Sequence, residues 1–299
     1  FINGNHTAES LPFYDINELI QQLILLSRVQ IYTNNAEVLK VLYYAKELVD
    51  SHRCLRNGNY VTSEVASNLY NELAIIEDNP QRSIEYYKKS LDITDKFDYG
   101  TSLNLAFEYI NVGNFAEADS LFNDVYLYSK DQYMEPRWKS SLYKGLTKCS
   151  INSGNYDQAL MYSQERLQIQ SYDYLQISQS MTSAARNNYW DTHYTSTLSD
   201  ASTTDLACGS NGGNSYNAAL FQKSILIRQK SAIKNNIINC DDTELIKAFD
   251  KYNQEIRSHS DSARLTEEYC MYLYSLHPEF VSSFSVPRWQ EIQKALNQK

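Results

Sequence analysis

The sequence has few of the residues that break helices. It contains 9 glycines and 5 prolines among 299 residues, too few for the many short strands and turns of a β-rich fold. The prolines fall mostly between candidate helices, at Pro12, Pro80, Pro136, Pro278 and Pro287. The expected fold class is therefore all-α.

Clustered metal ligands are also missing. The cysteines are odd in number and no two lie close together in the sequence, which favours neither a disulfide framework nor a zinc ribbon. The five histidines are equally scattered. The sequence therefore predicts no metal site and no cofactor. Thiols spread in this way are typical of a reducing compartment, and the expected location is the cytoplasm.

Basic clusters and long apolar runs are scarce as well. The net charge is −9, and no stretch carries the concentrated basic charge of a nucleic-acid-binding face. No apolar run reaches the roughly 18 residues that a membrane helix needs. With 42% apolar and 21% charged residues, the composition fits a globular chain. Neither nucleic acid nor a membrane is an expected partner.

A turn motif recurs along the first half of the chain. The segments "GNFAEADSLF" from Gly113 and "GNYDQALMYS" from Gly154 both begin with Gly-Asn-aromatic and place an alanine three residues after the aromatic. A weaker copy starts at Asp78. Glycine takes the positive φ that ends a helix, and a small residue lets two helices cross closely. The pattern therefore predicts successive helical hairpins.

This pattern resembles the tetratricopeptide repeat, a helical hairpin of about 34 residues. The resemblance implies a right-handed superhelix of hairpins, an α-solenoid, with a C-terminal helical extension. The predicted division is a repeat region over 1–190, a polar linker or loop over 191–215, and a second helical region over 216–299. The linker is expected because 191–215 is rich in Ser, Thr, Asn, Asp and Gly without an apolar period.

The C-terminal region has a resemblance of its own. Its two stretches "YNAALFQKSILIRQK" and "WQEIQKAL" resemble, in order and spacing, the helical segment that precedes the peptidase domain of CHAT proteins, which are caspase-like peptidases associated with tetratricopeptide repeats. Ser224 departs from the glycine common in that family. The matching residues are Tyr216, Asn217, Leu220, Phe221, Lys223, Leu226, Trp289, Gln290, Ile292, Gln293, Lys294, Ala295 and Leu296.

The CHAT resemblance implies a regulatory role. The chain begins at Phe1 rather than Met and is interpreted as a fragment that stops just before the His–Cys catalytic domain. It is then not an enzyme itself. Its expected partners are a protein or peptide ligand on the concave face of the repeats and the CHAT peptidase domain of the same chain.

Six residues are candidates for peptide binding, because tetratricopeptide arrays bind peptides with the first helix of each hairpin. Lysine and asparagine side chains there suit an acidic group, and Leu and Phe suit an apolar side chain. The alternative is that the lysines form a solvated face and the apolar residues are core. The candidates are Leu103, Phe107, Asn111, Lys144, Lys148 and Asn152.

Two further functions stay open. The string "LACGSNGG" resembles the nucleophile loop of a cysteine peptidase, and His193, 15 positions before Cys208, is the candidate general base. The chain itself is therefore a candidate cysteine hydrolase. A nucleophilic thiol needs a held base and an oxyanion site, and the polar segment around Cys208 predicts neither. The other alternative is a stand-alone repeat scaffold with no peptidase attached.

Overall fold

The computed structural model of the chain describes residues 13–30, 35–52, 61–94, 96–178 and 181–283, together with residues 290, 293, 294 and 297. These described residues form thirteen α-helices and one 3₁₀ helix, with no strand among them. The all-α prediction is confirmed. The chain divides into two compact units, Phe1–Tyr133 and Met134–Lys299.

Six helices make up the described part of the first unit, and each packs against the next along the chain. Side chains from the first three helices, among them Ile20, Leu42 and Leu69, are fully buried and form its main core. The helices are α1 (Phe13–Gln30), α2 (Asn35–His52), α3 (Ser63–Ile76), α4 (Pro80–Ile93), α5 (Tyr99–Asn111) and α6 (Phe115–Asp131).

Side-chain caps fix where helices of this unit begin. The Asn79 side-chain oxygen accepts hydrogen bonds from the backbone N–H groups of Gln81 and Arg82, at 3.0 and 3.3 Å, and Pro80 takes the first helical position of α4. Thr62 and Asp98 cap α3 and α5 in the same way. Each cap gives a partner to a backbone donor that the helix leaves unpaired.

The second unit holds the other seven α-helices. Helices α7 and α8, α10 and α11, and α12 and α13 pack as hairpins, and both α10 and α11 also pack on α8. The elements are α7 (Pro136–Asn152), α8 (Tyr156–Ser178), α9 (Ser183–His193), α10 (Thr197–Ala207), α11 (Gly213–Ile238), α12 (Thr243–Arg257), α13 (Ala263–Ser275) and the 3₁₀ helix Pro278–Ser283.

The two Gly-Asn turns adopt the conformation predicted for them. Gly113 and Gly154 have φ of 80° and 76°. The N–H of each glycine bonds the carbonyl three residues earlier, and the N–H of the following asparagine bonds the carbonyl five residues earlier, at 2.7 Å for Asn114 and 2.8 Å for Asn155. This double bonding is the Schellman motif, which ends α5 and α7 and starts the next helix.

Small residues lie at the hairpin crossings. Ala118 and Ala159 are fully buried, as their spacing predicts. In the weaker copy Ser83 takes this place, 1% exposed, and its hydroxyl donates to the Ala74 carbonyl at 2.8 Å. Of the two aromatics that follow the Gly-Asn turns, Phe115 is half-buried and Tyr156 is 46% exposed.

The predicted linker over 191–215 is mostly helical, so the expectation of a loop there was wrong. It includes the end of α9, all of α10 and the start of α11, which begins at Gly213. The residues of α10 that are buried recur on one helical face and are small or polar: Thr197, Ala201, Thr204 and Asp205. The sequence of α10 shows no apolar period because the helix packs through these small and polar residues.

Most of the C-terminal motif "WQEIQKAL" lies outside the described residues.

The helix-ending turns carry a prediction about stability. Gly154→Ala should lower the free energy of unfolding by about 1 kcal/mol, because an alanine strains at positive φ although no atom lies within 4 Å of the added Cβ. His259 ends α12 in the same motif with φ of 53°, so His259→Gly should raise stability by about 1 kcal/mol. Urea unfolding of both variants checks the pair, and effects of equal sign would contradict the prediction.

Candidate functional site

A cluster of charged side chains in the second unit joins helices α7, α8 and α10. Lys144 Nζ and Arg166 Nη1 both pair with one oxygen of Asp200, Oδ2, at 3.2 and 2.7 Å. The Ser196 hydroxyl donates to the same oxygen at 3.0 Å. Two cations from the α7–α8 hairpin therefore meet a single carboxylate that α10 supplies.

Charge balance keeps Asp200 ionised. Burial works to raise the pKa of its carboxyl, but the charges and hydrogen bonds of Arg166 and Lys144 outweigh burial and hold the pKa below its ordinary value. The Arg166 side chain is only 12% exposed, so its charge is poorly screened by water. The cluster consequently gives α10 an ionic attachment to the α7–α8 hairpin.

Two cavities share Lys144 and Arg166 in their linings. The smaller, of about 100 Å³, lies against α10 and includes Lys148, Thr203 and Thr204. The larger, of about 460 Å³, is lined toward α9 by Tyr189, His193 and Tyr194 and toward α7 by Arg137, Ser140 and Ser141. Its basic side chains lie beside aromatic rings, a combination that suits an acidic ligand with an apolar part.

An aromatic cluster positions the wall of the larger cavity. Tyr174, Trp190, Tyr194 and Phe221 are buried against one another and join α8 to α11 and to the end of α9. The Tyr194 hydroxyl donates to Asp173 at 2.6 Å. Asp173, which lines the larger cavity, is therefore already hydrogen-bonded within the protein. Burial raises the pKa of the Tyr194 phenol, so the hydroxyl stays protonated and remains the donor.

The six predicted binding residues lie in different surroundings. In the second unit Lys144 and Lys148 line the smaller cavity, and Asn152 is exposed at the end of α7. In the first unit Leu103 is fully buried, and Phe107 packs edge-on against Phe122 with ring centroids 5.2 Å apart. Asn111 is exposed at the end of α5. Peptide binding by these residues stays a prediction.

Arg166 and Asp200 were not among the predicted residues, although the sequence holds one signal for Arg166. It follows Ala159 and Tyr162 at the helical spacing of the buried face of α8. A cation at such a position needs a buried or half-buried acid as its partner. The sequence does not indicate which acid, since Asp200 lies 34 residues away in the range interpreted as a linker.

Cys208 has surroundings that disfavour a thiolate. It directly follows α10 as the residue that ends the helix, before Gly209 at positive φ. Burial raises the pKa of its thiol, and the carboxylates of Asp205 and Asp157 raise it further. A reactive cysteine instead has a cation or a helix N-terminus beside it. The His193 ring lies against Tyr189, with centroids 4.4 Å apart.

The described residues contain no group of three or more His, Cys, Asp or Glu side chains arranged to hold a metal ion. None of the helices in that part of the chain combines the length and the apolar character that crossing a membrane requires.

Comparison with known proteins gives a likeness of fold. The chain is similar to BtubC (BKLC) from P. vanneervenii, whose crystal structure matches with a TM-score of 0.53 and 17% sequence identity, over 76% of this chain and 87% of that one. At this identity the likeness shows a shared all-helical, repeat-like fold. No family model matches the chain, and no curated protein matches it.

Proposed function

We propose that the chain is a protein-binding module of tetratricopeptide-type repeats that recognises an acidic group of its partner on the α7–α8–α10 surface. The observation that carries this proposal is the convergence of Lys144 and Arg166 on the one carboxylate of Asp200. A surface that holds an internal carboxylate with two cations has the chemistry to hold one from a partner.

The adjoining cavities support the same ligand chemistry. Lys148 lines the smaller cavity and is exposed, so it can contact a bound acid. Tyr189 and His193 give the larger cavity an aromatic wall beside Arg137. A partner segment that pairs an acidic group with an apolar side chain fits both features, and Asp200 then acts as the internal competitor for the cations.

The wider role follows from the CHAT resemblance. We propose that the repeats form a right-handed superhelix and serve as the non-catalytic regulatory arm of a CHAT-type cysteine peptidase in the cytoplasm. Binding of a partner on the arm regulates the peptidase only by favouring one arrangement of the whole protein over another. The resemblance of 216–299 to the segment before the CHAT peptidase domain supports this role.

A peptide array tests the acid recognition. Each hexapeptide is displayed with a free and with an amidated C-terminus and probed with the fluorescently labelled chain. We expect binding to depend on the free carboxylate or on acidic side chains, and Lys148→Ala to weaken it about tenfold, or about 1.4 kcal/mol. Asp200→Asn should tighten binding, because it releases Lys144 and Arg166 from their internal partner.

Lys139→Ala is the matched control, since Lys139 lies on the same helix and lines neither cavity. Equal binding of amidated and free peptides, or an unchanged affinity in Lys148→Ala, would contradict acid recognition. Reading the coding sequence beyond Lys299 tests the wider role separately. A caspase-like domain there supports the regulatory arm, whereas a stop codon favours a stand-alone scaffold.

A further inference from the structure

A second concave surface lies in the second unit, away from the site just described. It is a groove of about 480 Å³ between α11 and α12, with α13 as its floor and the start of α9 at one end. It shares no lining residue with the two cavities at Lys144. Its volume is within the range of about 300–1,000 Å³ that binding pockets occupy.

Apolar residues lie on the base and on both walls of the groove, among polar ones such as Asn253 and Gln254. Ile237 of α11 and Met271 of α13 lie at its base and are almost fully buried. Ile238 and Ile256 line opposite walls and are 56% and 47% exposed. Apolar side chains exposed on both walls of a concave surface lose this contact with water when a partner covers them, which favours association.

Three exposed cations surround the apolar residues of the groove. Lys230 and Lys234 of α11 and Arg257 of α12 line the groove and are exposed. None of the three forms an ion pair with another side chain in the described part of the chain. Of the acidic side chains in the lining, Glu267 accepts a hydrogen bond from the Ser183 backbone N–H at 2.7 Å and lies beside the charge of Arg186. Asp250 is the second acidic residue in the lining of the groove.

This local charge is opposite to that of the whole chain, which carries a net charge of −9. An excess of cations around an apolar groove in an acidic protein is complementary to an acidic partner and repels a basic one. The lining of α11 runs from Lys230 to Ile238, so the groove follows the helix axis for about 12 Å, or roughly two helical turns.

We propose that this α11–α12 groove is the docking site for an acidic amphipathic helix of a partner protein. Apolar side chains of the partner helix enter between Ile238 and Ile256, since a ridge of side chains on one helix packs into the groove between two others. Acidic residues flanking that ridge pair with Lys234 on one wall and Arg257 on the other. The cations give orientation, and the apolar contact gives most of the affinity.

The test uses two synthetic peptides of twelve residues that are labelled with fluorescein. Both carry leucine at every third or fourth position. One has glutamate and the other lysine at the remaining positions. Fluorescence anisotropy against the full chain should show binding of the glutamate peptide and no binding of the lysine peptide. Lys234→Glu and Arg257→Glu should each weaken binding about tenfold, and Ile256→Ser should weaken it by a similar factor.

Matched controls lie on the same helices. Lys247→Glu changes an exposed lysine of α12 outside the groove, and Leu265→Ser changes an exposed apolar residue of α13 outside it. Neither should alter the affinity. Because every substituted side chain is either charged or at least 47% exposed, circular dichroism should show wild-type folding for each variant.

Three results would overturn the proposal. The first is failure of the glutamate peptide to bind, and the second is equal binding of both peptides or equal loss in the control variants. The third is a self-association in analytical ultracentrifugation that Lys234→Glu abolishes, which would make a second copy of the chain the occupant. These outcomes leave the acid recognition at Lys144 untouched, since the two surfaces have no lining residue in common.

Discussion

Phe122→Ala is expected to lower the free energy of unfolding of the first unit by about 3–5 kcal/mol. The Phe122 ring is fully buried in α6 and packs edge-on against Phe107 of α5, with centroids 5.2 Å apart. Alanine removes the ring and leaves a space that the two helices of the hairpin cannot close without moving Ala118, itself fully buried. Urea unfolding followed by circular dichroism measures the loss.

Leu127→Ala provides the comparison on the same helix. Leu127 is 59% exposed, so its removal should cost no more than about 0.5 kcal/mol. If Phe122→Ala leaves too little folded protein for a transition, Phe122→Leu fills part of the space and should give a smaller, measurable loss of about 1–2 kcal/mol. Similar small losses in Phe122→Ala and Leu127→Ala would contradict the tight packing of the α5–α6 hairpin.

The hairpins were predictable because their signals are local. Gly113 ends α5 at positive φ, and Ala118 lies at the helix crossing one turn later, so both roles follow from neighbours in the sequence. The same reasoning held for Gly154 and Ala159. In both hairpins a turn residue and a small residue at fixed spacing carried the prediction.

Helix α10 was not predictable from apolar periodicity. Its buried residues include Thr204 and Asp205, while Leu206 is 84% exposed. Hydrogen bonds hold the helix instead: Asp205 accepts the Ser215 backbone N–H at 2.7 Å, and the Thr197 hydroxyl donates to Gln170 at 3.3 Å. Such partners come from other helices, and their positions follow only from the tertiary arrangement.

The candidate site was predictable in part. Lys144 and Lys148 do line a cavity, but residues four apart on a helix are rotated by about 40° from one another. The row Leu103, Phe107 and Asn111 therefore turns from the core to the solvent, from fully buried to exposed. Asp200, the partner of Lys144, was not predicted for a different reason. It belongs to α10, in the range interpreted from the sequence as a linker.

The ion-pair cluster at Asp200 makes stability depend on pH in a defined direction. The pKa of this carboxyl lies below its ordinary value of 3.8, so the unfolded chain takes up the proton more readily than the folded one. The stabilisation is therefore complete above pH of about 4 and is lost as the pH falls through the lower, folded-state value. Asp200→Asn should lower the free energy of unfolding by about 1–2 kcal/mol at neutral pH. The variant should also lack the part of the acid-induced loss of stability that comes from protonation of Asp200.

A double-mutant cycle assigns the effect to the pair rather than to Asp200 alone. Arg166→Met and Asp200→Asn should each destabilise the second unit, and the double variant should lose less than the sum, with a coupling of about 1–2 kcal/mol at pH 7 that disappears in acid. Asp191→Asn is the control, since Asp191 is exposed on α9. Additive losses, or an acid dependence that Asp200→Asn leaves unchanged, would show that α10 is held on the hairpin by something other than this carboxylate.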